Sequence, residues 1–151
     1  MKKLLFVAVI MLSIEVSSAQ SYQPQAKTDH LALLVTDLNK SAEFYTQILG
    51  LNEITNQTKK SNIRWFAFAD GVELHLINRS MDGVSLKKDI HLAVAINNLT
   101  AFTKMLDEKN VYYENWSGEA NTTNERPDGV TQVYIQDPDG YWIEVNDADR
   151  F

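Results

Sequence analysis

"HLALLVTDL" (30–38) is a stretch that the chain nearly repeats as "HLAVAINNL" (91–99). Each copy begins with a histidine and an apolar run rich in strand-forming residues. Near its end, just before the final Leu, each copy has an Asp or Asn residue that favours the start of a helix. The chain of 151 residues has only three histidines, and two of them hold this position, 61 residues apart. A near-repeat with such a period predicts a duplicated module.

The residues after the first copy predict a helix and three strands. Apolar residues at three- and four-residue spacing within 38–50 predict a helix, capped by Asp37 or Asn39 and ended by Gly50. Asp70-Gly71 is a strong signal for a hairpin turn. The predicted strands span 51–57, 63–70 and 72–78.

The second half predicts the same series. Asn97 or Asn98 caps a helix, and "DPDG" (137–140) forms the turn before the last strand. The predicted strands span 111–116, 130–137 and 141–147. The sequence therefore predicts an α+β fold of two tandem βαβββ modules, which form a curved pair of sheets with the helices outside.

Composition excludes several classes of function. The formal net charge of -6 argues against nucleic-acid binding and gives no affinity for an anionic membrane surface. The absence of cysteine excludes disulfides, thiolate zinc sites and cysteine nucleophiles. A Ser-His-Asp hydrolase is disfavoured because no "GxSxG" stretch occurs.

The N-terminal residues have the pattern of a secretory signal peptide. A basic start is followed by an apolar stretch (4–14) and by small residues before a cut after Ala19. We therefore expect a signal peptide at 1–19 and export to the periplasm or the medium, with a retained N-terminal anchor as the alternative. A linker (20–27) and one domain (28–148) follow, with module one at about 28–80 and module two at about 88–148.

The third histidine also has a repeat partner. His75 lies four residues after Gly71, and Glu144 lies four residues after Gly140 of the second turn. The polar loop 117–129 explains why this pair is 69 rather than 61 residues apart. Strand alternation places both side chains opposite the aliphatic faces, on the concave side of each sheet.

Three imidazoles and one carboxylate on concave faces predict a site for a borderline divalent metal. The predicted ligands are His30, His75, His91 and Glu144. Two alternatives remain: each histidine can instead be a hydrogen-bonded core residue, and Glu73, on the same face as His75, can take its place as ligand. If His75 is the ligand, Glu73 becomes a supporting or rim group, or a candidate proton acceptor.

Three other features have open interpretations. Trp142, on the face of Glu144, is either a wall of the substrate pocket or a core residue. The loop 117–129 is either a lid or a solvated connection. Lys87-Lys88-Asp89 is interpreted as a solvated linker between the modules.

Two segments resemble the vicinal oxygen chelate superfamily, which includes glyoxalase I, fosfomycin-resistance proteins, methylmalonyl-CoA epimerase and extradiol dioxygenases. "DHLALLVTDLNKSAEFYTQILGL" (29–51) is similar to its opening strand and helix, and "IQDPDGYWIEV" (135–145) to its closing turn and strand. The resemblance covers about 28–148 and implies a glyoxalase-like fold. Ligands in this superfamily come from the first and last strands of each module, which are the positions of the four residues above.

The resemblance implies a metal-dependent enzyme acting on a small molecule. A Zn, Ni, Mn or Fe ion would bind two adjacent substrate oxygens and stabilise an oxyanionic intermediate, and Glu144 would move the proton. We expect isomerase or lyase chemistry of the lactoylglutathione-lyase type in a homodimer that can share modules between chains. The alternatives are an extradiol-type dioxygenase and a metal-free protein that binds a small molecule or drug.

Several departures weaken the match to individual members. Bacterial glyoxalase I usually has a glutamate at the position of His75 and an arginine at that of Leu34, which contacts glutathione. The potassium loop and basic phosphonate contacts of fosfomycin-resistance enzymes are absent from the sequence. The resemblance therefore gives a family without a substrate.

Overall fold

The computed structural model describes residues 23–149, so the predicted signal peptide lies outside the described residues. The first module contains β1 (His30–Val35), α1 (Leu38–Gln47), β2 (Asn52–Ile54), β3 (Ile63–Ala67) and β4 (Glu73–Asn78). The second contains β5 (His91–Ala95), α2 (Leu99–Glu108), β6 (Asn124–Glu125), β7 (Thr131–Gln136) and β8 (Trp142–Asn146).

The two sheets have the same topology. Their strand orders are β1-β4-β3-β2 and β5-β8-β7-β6, and the first strand of each module pairs in parallel with its last strand. The registers are also equivalent, since Ala32 pairs with His75 and Ala93 pairs with Glu144. The duplication and the α+β fold predicted from the sequence are thus confirmed.

The helices begin where the sequence predicts. The side chain of Asp37 accepts hydrogen bonds of 3.0 Å from the backbone N–H groups of the first turn of α1, and Asn98 caps α2 in the same way at 2.9 Å. Gly50 follows α1 with a φ of 70°, a conformation that favours glycine. Within residues 23–149, no helix is long and apolar enough to cross a membrane.

The aliphatic faces of the two sheets form a single core. Leu74 and Leu76 of β4 and Ile143 and Val145 of β8 are fully buried, as strand alternation predicts. Residues from both modules and both helices belong to the same hydrophobic cluster. Each fully buried aliphatic side chain contributes about 1.5–3 kcal/mol to folding, so the stability depends on both modules.

The "DPDG" turn of module two docks onto helix α1 of module one. Asp137 accepts a buried 2.9 Å hydrogen bond from the Tyr45 hydroxyl. Asp139 accepts from the Thr36 backbone N–H at 2.9 Å and from the Thr36 and Ser41 hydroxyls at 2.6 and 2.9 Å. These two carboxylates therefore connect the last hairpin of the chain to the start of its first helix.

The predicted strand at 111–116 is wrong. Its residues alternate between buried and exposed, but Glu114 alone forms β-bridges, with Ala120 and Tyr134. The reason is the segment that follows, which folds back so that Asn121 N–H donates to Tyr113 C=O at 3.0 Å. The segment therefore meets the second sheet only at Glu114, which pairs with Tyr134 of β7.

A strand within 117–129 occupies the edge of the second sheet instead. Strand β6 pairs antiparallel with β7, and the turn between them is closed by a 2.9 Å hydrogen bond from Gly129 N–H to Arg126 C=O. The "RPDG" stretch (126–129) is a turn signal that marks this hairpin in the sequence. The loop is therefore partly a strand of the sheet.

Candidate functional site

Three rings are stacked on the concave face of the first sheet. The His75 ring centre lies 4.0 Å from that of Trp65, with 8° between the planes, and 4.5 Å from that of His30, with 17° between the planes. Strand pairing sets this stack, because Trp65 of β3 is the register partner of His75. His75 is largely buried between its neighbours, and His30 is half-exposed at the outer end.

The corresponding face of the second sheet holds a histidine–carboxylate pair. His91 Nε2 lies 3.3 Å from Glu144 Oε2. Glu144 is buried, whereas the neighbouring Ala93 on the edge strand β5 is exposed, which leaves the pair beside open space. The repeat thus places His30 with His75 in one module and His91 with Glu144 in the other.

Each of the three histidines has one ring nitrogen directed at an oxygen that only accepts. These hydrogen bonds join His30 Nδ1 to Asp29 at 2.6 Å, His75 Nε2 to Glu73 at 2.7 Å, and His91 Nδ1 to the Lys88 carbonyl at 2.7 Å. In the neutral imidazole the other nitrogen is then unprotonated. Histidines that bind metals are commonly oriented by such a bond.

The bond between Glu73 and His75 bears on which of them would be a ligand. Glu73 is partly exposed and binds the Nε2 of His75, an arrangement in which Glu73 can orient the imidazole. The ligand role of His75 and the proton-acceptor role of Glu73 stay predictions.

Glu144 is the most heavily hydrogen-bonded carboxylate of the site. Oε1 accepts from Arg126 Nη1 at 2.9 Å and from Asn146 Nδ2 at 2.7 Å, and Oε2 accepts from the Tyr134 hydroxyl at 2.7 Å. Burial raises the pKa of Glu144, but the bonds from Tyr134, Asn146 and Arg126 outweigh it, so the pKa is lowered. Glu144 is therefore an anion at neutral pH and a weak base.

Arg126 reaches this carboxylate from the turn before β7. Its Nε and Nη2 bind both oxygens of Asp128, at 3.0 and 2.5 Å, and its Nη1 is left to bind Glu144. The Arg126 guanidinium lowers the pKa of Asp128 to about 2. Sequence reasoning missed Arg126 because it assigned 117–129 to a loop without strand structure.

The interpretation of Lys88 as part of a solvated linker is wrong. Its ammonium lies over the rings of Tyr134, Trp142 and Trp116, at 4.7, 5.0 and 5.8 Å from their centres. It also donates to Glu114 Oε1 at 2.7 Å. Trp142, offered as a pocket wall or a core residue, lies outside the aliphatic core and forms one side of this aromatic group.

Two further residues were missed although the repeat could have identified them. Trp65 and Tyr134 lie 69 residues apart, as do His75 and Glu144. In each sheet the aromatic residue is the register partner of the predicted ligand, Trp65 of His75 and Tyr134 of Glu144. The same offset in the sequence is the signal that assigns both aromatic side chains to the concave faces.

Comparison with known proteins agrees with the duplicated fold. The sequence profile of the Glyoxalase/Bleomycin resistance protein/Dioxygenase superfamily matches residues 27–145. The chain belongs to this superfamily.

Several relatives of this superfamily member are similar over most of their length. The uncharacterized protein YwbC of Bacillus subtilis is 28% identical over 124 residues, which cover 78% of this chain and 94% of that protein. A Vibrio parahaemolyticus protein named "Probable lactoylglutathione lyase" is 26% identical, over 77% of this chain and 86% of that protein. The lactoylglutathione lyase structure from Agrobacterium tumefaciens superposes with a TM-score of 0.63 at 17% identity, covering 83% and 96% of the two chains, which shows the shared fold.

Members of the superfamily commonly use a divalent metal, and the donor atoms here are of the right type. Imidazole nitrogen and carboxylate oxygen suit a borderline ion such as zinc. Within residues 23–149, however, no group of three or more His, Asp or Glu side chains could hold an ion. One chain therefore brings the four predicted ligands together only as two pairs.

The stack in module one limits what that pair can do. Lone pairs of an imidazole lie in the ring plane, and the planes of His30 and His75 are nearly parallel and 4.5 Å apart. Their nitrogens cannot both point at one ion in this arrangement. At most one of these two imidazoles can therefore bind a given ion, whereas His91 and Glu144 face each other in module two.

A large cleft lies elsewhere among the described residues. It has a volume of about 860 Å³, and its lining includes Leu31, Phe68, Val72, Leu92 and Val94 but none of the four predicted ligands. It lies between the first strands of the two modules, on the apolar side of β1.

Proposed function

We propose that this protein is a divalent-metal-dependent enzyme of isomerase or lyase type, whose substrate binds through two adjacent oxygens. The observation that supports it best is the pair formed by His91 Nε2 and Glu144 Oε2, 3.3 Å apart. Because His91 donates its other nitrogen to a backbone carbonyl, an unprotonated nitrogen and a carboxylate oxygen face the same space. A cation between them satisfies both.

The ligands are drawn from two chains of a homodimer. His91 and Glu144 come from module two of one chain, and His75 or His30 comes from module one of the other. This arrangement is supported by the absence of a three-ligand group within residues 23–149 of one chain and by the exposure of Ala32 and Ala93 on the edge strands. Three protein ligands with an open position are typical of a catalytic site.

The surrounding side chains of this chain each have a defined task. When bound, the ion supplies Lewis-acid stabilisation of developing negative charge on the substrate oxygens. Glu144, held as an anion, supplies charge to the site, and the Tyr134 hydroxyl fixes its orientation. Trp142 and Trp116 shield one side of the site from water. Glu73, hydrogen-bonded to His75 and partly exposed, is the candidate to accept a substrate proton.

A second function, metal-free binding of a small molecule, is favoured by one observation. Arg126, Asn146 and Tyr134 already satisfy both oxygens of Glu144. Arg126 already neutralises Glu144 through Oε1, so its guanidinium repels a cation at Oε2. In a metal-free protein the same network would be a rigid wall beside an aromatic pocket.

Metal content of the purified protein decides between the two functions. We expect about one equivalent of Zn, Ni, Mn or Fe per site by plasma mass spectrometry, lost in Glu144→Gln. Glu108→Gln, at an exposed carboxylate of α2, is the matched control and should retain the metal. Absence of metal from the wild type, even after soaking with each ion, would leave the metal-free binding protein.

Subunit mixing tests whether two chains share the site. His75→Ala and Glu144→Ala are each expected to lose the metal as homodimers. Mixed dimers should recover one intact site and one doubly altered site, hence about half the metal per dimer. A mixture with no recovery would place all the ligands in one chain.

We also propose that the protein is exported. The basic start, the apolar stretch 4–14 and the small residues before Ala19 support this. Export predicts a mature N-terminus at Gln20, read by mass spectrometry of the protein from the periplasmic fraction. An intact Met1 on cytoplasmic protein would contradict it.

A further inference from the structure

Lys88 belongs to the segment between the modules, residues 79–90, which contains neither helix nor strand. The segment ends directly at His91, the first residue of β5. Its last turn is closed by a 2.9 Å hydrogen bond from Ile90 N–H to Lys87 C=O. The orientation of His91 therefore depends on how this irregular backbone is held.

The Lys88 ammonium is anchored on module two by all three of its N–H groups. They reach Glu114 Oε1 at 2.7 Å, the Asn115 carbonyl at 2.5 Å and the Trp116 carbonyl at 3.1 Å. The ammonium also lies over three aromatic rings, of which Tyr134 is the nearest. Its side chain is only 16% exposed. A lysine with every proton donated is a poor nucleophile or base but a strong anchor.

The backbone carbonyl of the same residue orients His91. It accepts the Nδ1–H of His91 at 2.7 Å, which directs Nε2 toward Glu144. Lys88 therefore contacts His91 directly through its carbonyl. It is connected to Glu144 only through the Tyr134 ring, which the ammonium contacts and whose hydroxyl binds Glu144.

We propose that Lys88 is a positioning residue for His91. The Lys88 side chain holds the end of the inter-module segment against module two. The Lys88 carbonyl is thereby placed to stabilise the Nδ1–H tautomer of His91 and to orient its Nε2 toward Glu144. Any effect on metal affinity rests on the proposed function. The effect on the His91 tautomer does not, because it is a property of the metal-free chain.

The test is nitrogen NMR of histidine-labelled, metal-free protein at about pH 8.5, well above the ordinary histidine pKa of about 6.5. The three histidines report separately, and a His91→Gln variant assigns the signal. We expect wild-type His91 to be the Nδ1–H tautomer and Lys88→Met to shift it toward a mixture, with His30 and His75 unchanged. Lys87→Met, which removes the neighbouring exposed charge, should leave all three histidines as in the wild type.

Two results would overturn the proposal. One is an unaltered His91 tautomer in folded Lys88→Met, and the other is an equal change at all three histidines, which would indicate general loosening. If Lys88→Met does not fold, Glu114→Gln weakens the same clamp without removing Lys88, and the same selective shift at His91 is expected.

Zinc titration of the same variants separates the proposal from the proposed function. Loss of a group that orients a metal ligand commonly costs about 10–100-fold in affinity, and we expect Lys88→Met to fall in this range. If wild-type protein binds no zinc, the proposed function fails while the tautomer result still decides the role of Lys88.

Discussion

At the scale of single residues, the site is controlled by hydrogen bonds to its histidines and to Glu144. Each imidazole is oriented by an oxygen acceptor, and Glu144 is kept ionised by donors that outweigh its burial. The sequence identified the histidines and Glu144 through the repeat. Arg126 could not be identified in this way, because its role depends on how a turn places a long side chain across the sheet.

Tyr134→Phe is expected to destabilise the protein by about 1.5–3 kcal/mol, the range for a hydrogen bond to a charged group. The change removes a hydroxyl whose hydrogen bond lowers the pKa of Glu144. The pKa of Glu144 should therefore rise in the variant. Urea unfolding measures the first effect, and carbon NMR of the carboxyl group measures the second. Tyr112→Phe, at an exposed hydroxyl that binds Glu114, is the control and should change stability by less than about 0.5 kcal/mol.

Arg126→Met is expected to lower stability but to strengthen metal binding, because the change removes the charge repulsion between the guanidinium at Oε1 of Glu144 and an ion at Oε2. We expect roughly tenfold tighter zinc binding by isothermal titration, equivalent to about 1.4 kcal/mol. Arg79→Met, in the inter-module segment, serves as a charge-matched control. Weaker zinc binding in Arg126→Met would mean that Arg126 holds Glu144 in place for the metal.

At the scale of elements, the turns do more than reverse the chain. The "DPDG" turn brings Asp137 and Asp139 onto helix α1, and the "RPDG" turn brings Arg126 to Glu144. Both stretches are recognisable as turns from sequence. Their partners are not, since these lie about 20 to 100 residues away along the chain.

The burial of Asp137 predicts a pH dependence of stability. Burial raises the pKa of Asp137 and outweighs the hydrogen bonds it accepts. The folded protein then holds this proton more tightly than the unfolded chain, so the associated stability is present below about pH 3.9 and is lost as pH rises through the folded pKa.

Asp137→Asn removes this titration while keeping an oxygen for the backbone N–H donors of the turn. The free energy of unfolding of the wild type, relative to that of the variant, should therefore fall as pH rises from about 4 toward neutrality. Urea unfolding across this range measures it, with Asp82→Asn, at an exposed position, as the control. A difference that is constant or rises with pH would contradict the raised pKa.

At the scale of the whole molecule, the two modules share one core and are locked by the contacts of α1 with the last turn. We therefore expect module one alone, residues 23–86, to remain unfolded. Its amide NMR spectrum should lack dispersion, and dispersion should return when a chain of residues 87–151 is added. A dispersed spectrum of module one alone would show that it folds independently.

Local sequence patterns are sufficient to predict the duplicated fold, the strand faces and the concave placement of the histidines and Glu144, and they narrow each helix cap to two residues. These follow from local rules: a strand alternates its faces, a capping side chain binds the next turn, and a repeated pattern repeats its structure. The tertiary structure alone decided that Lys88 is held among aromatic rings, that Arg126 binds Glu144, and that one chain divides the four predicted ligands into two pairs. Those outcomes depend on distances between segments that are far apart in the chain. These distances are defined only when the sheets have packed, and no local sequence pattern encodes them.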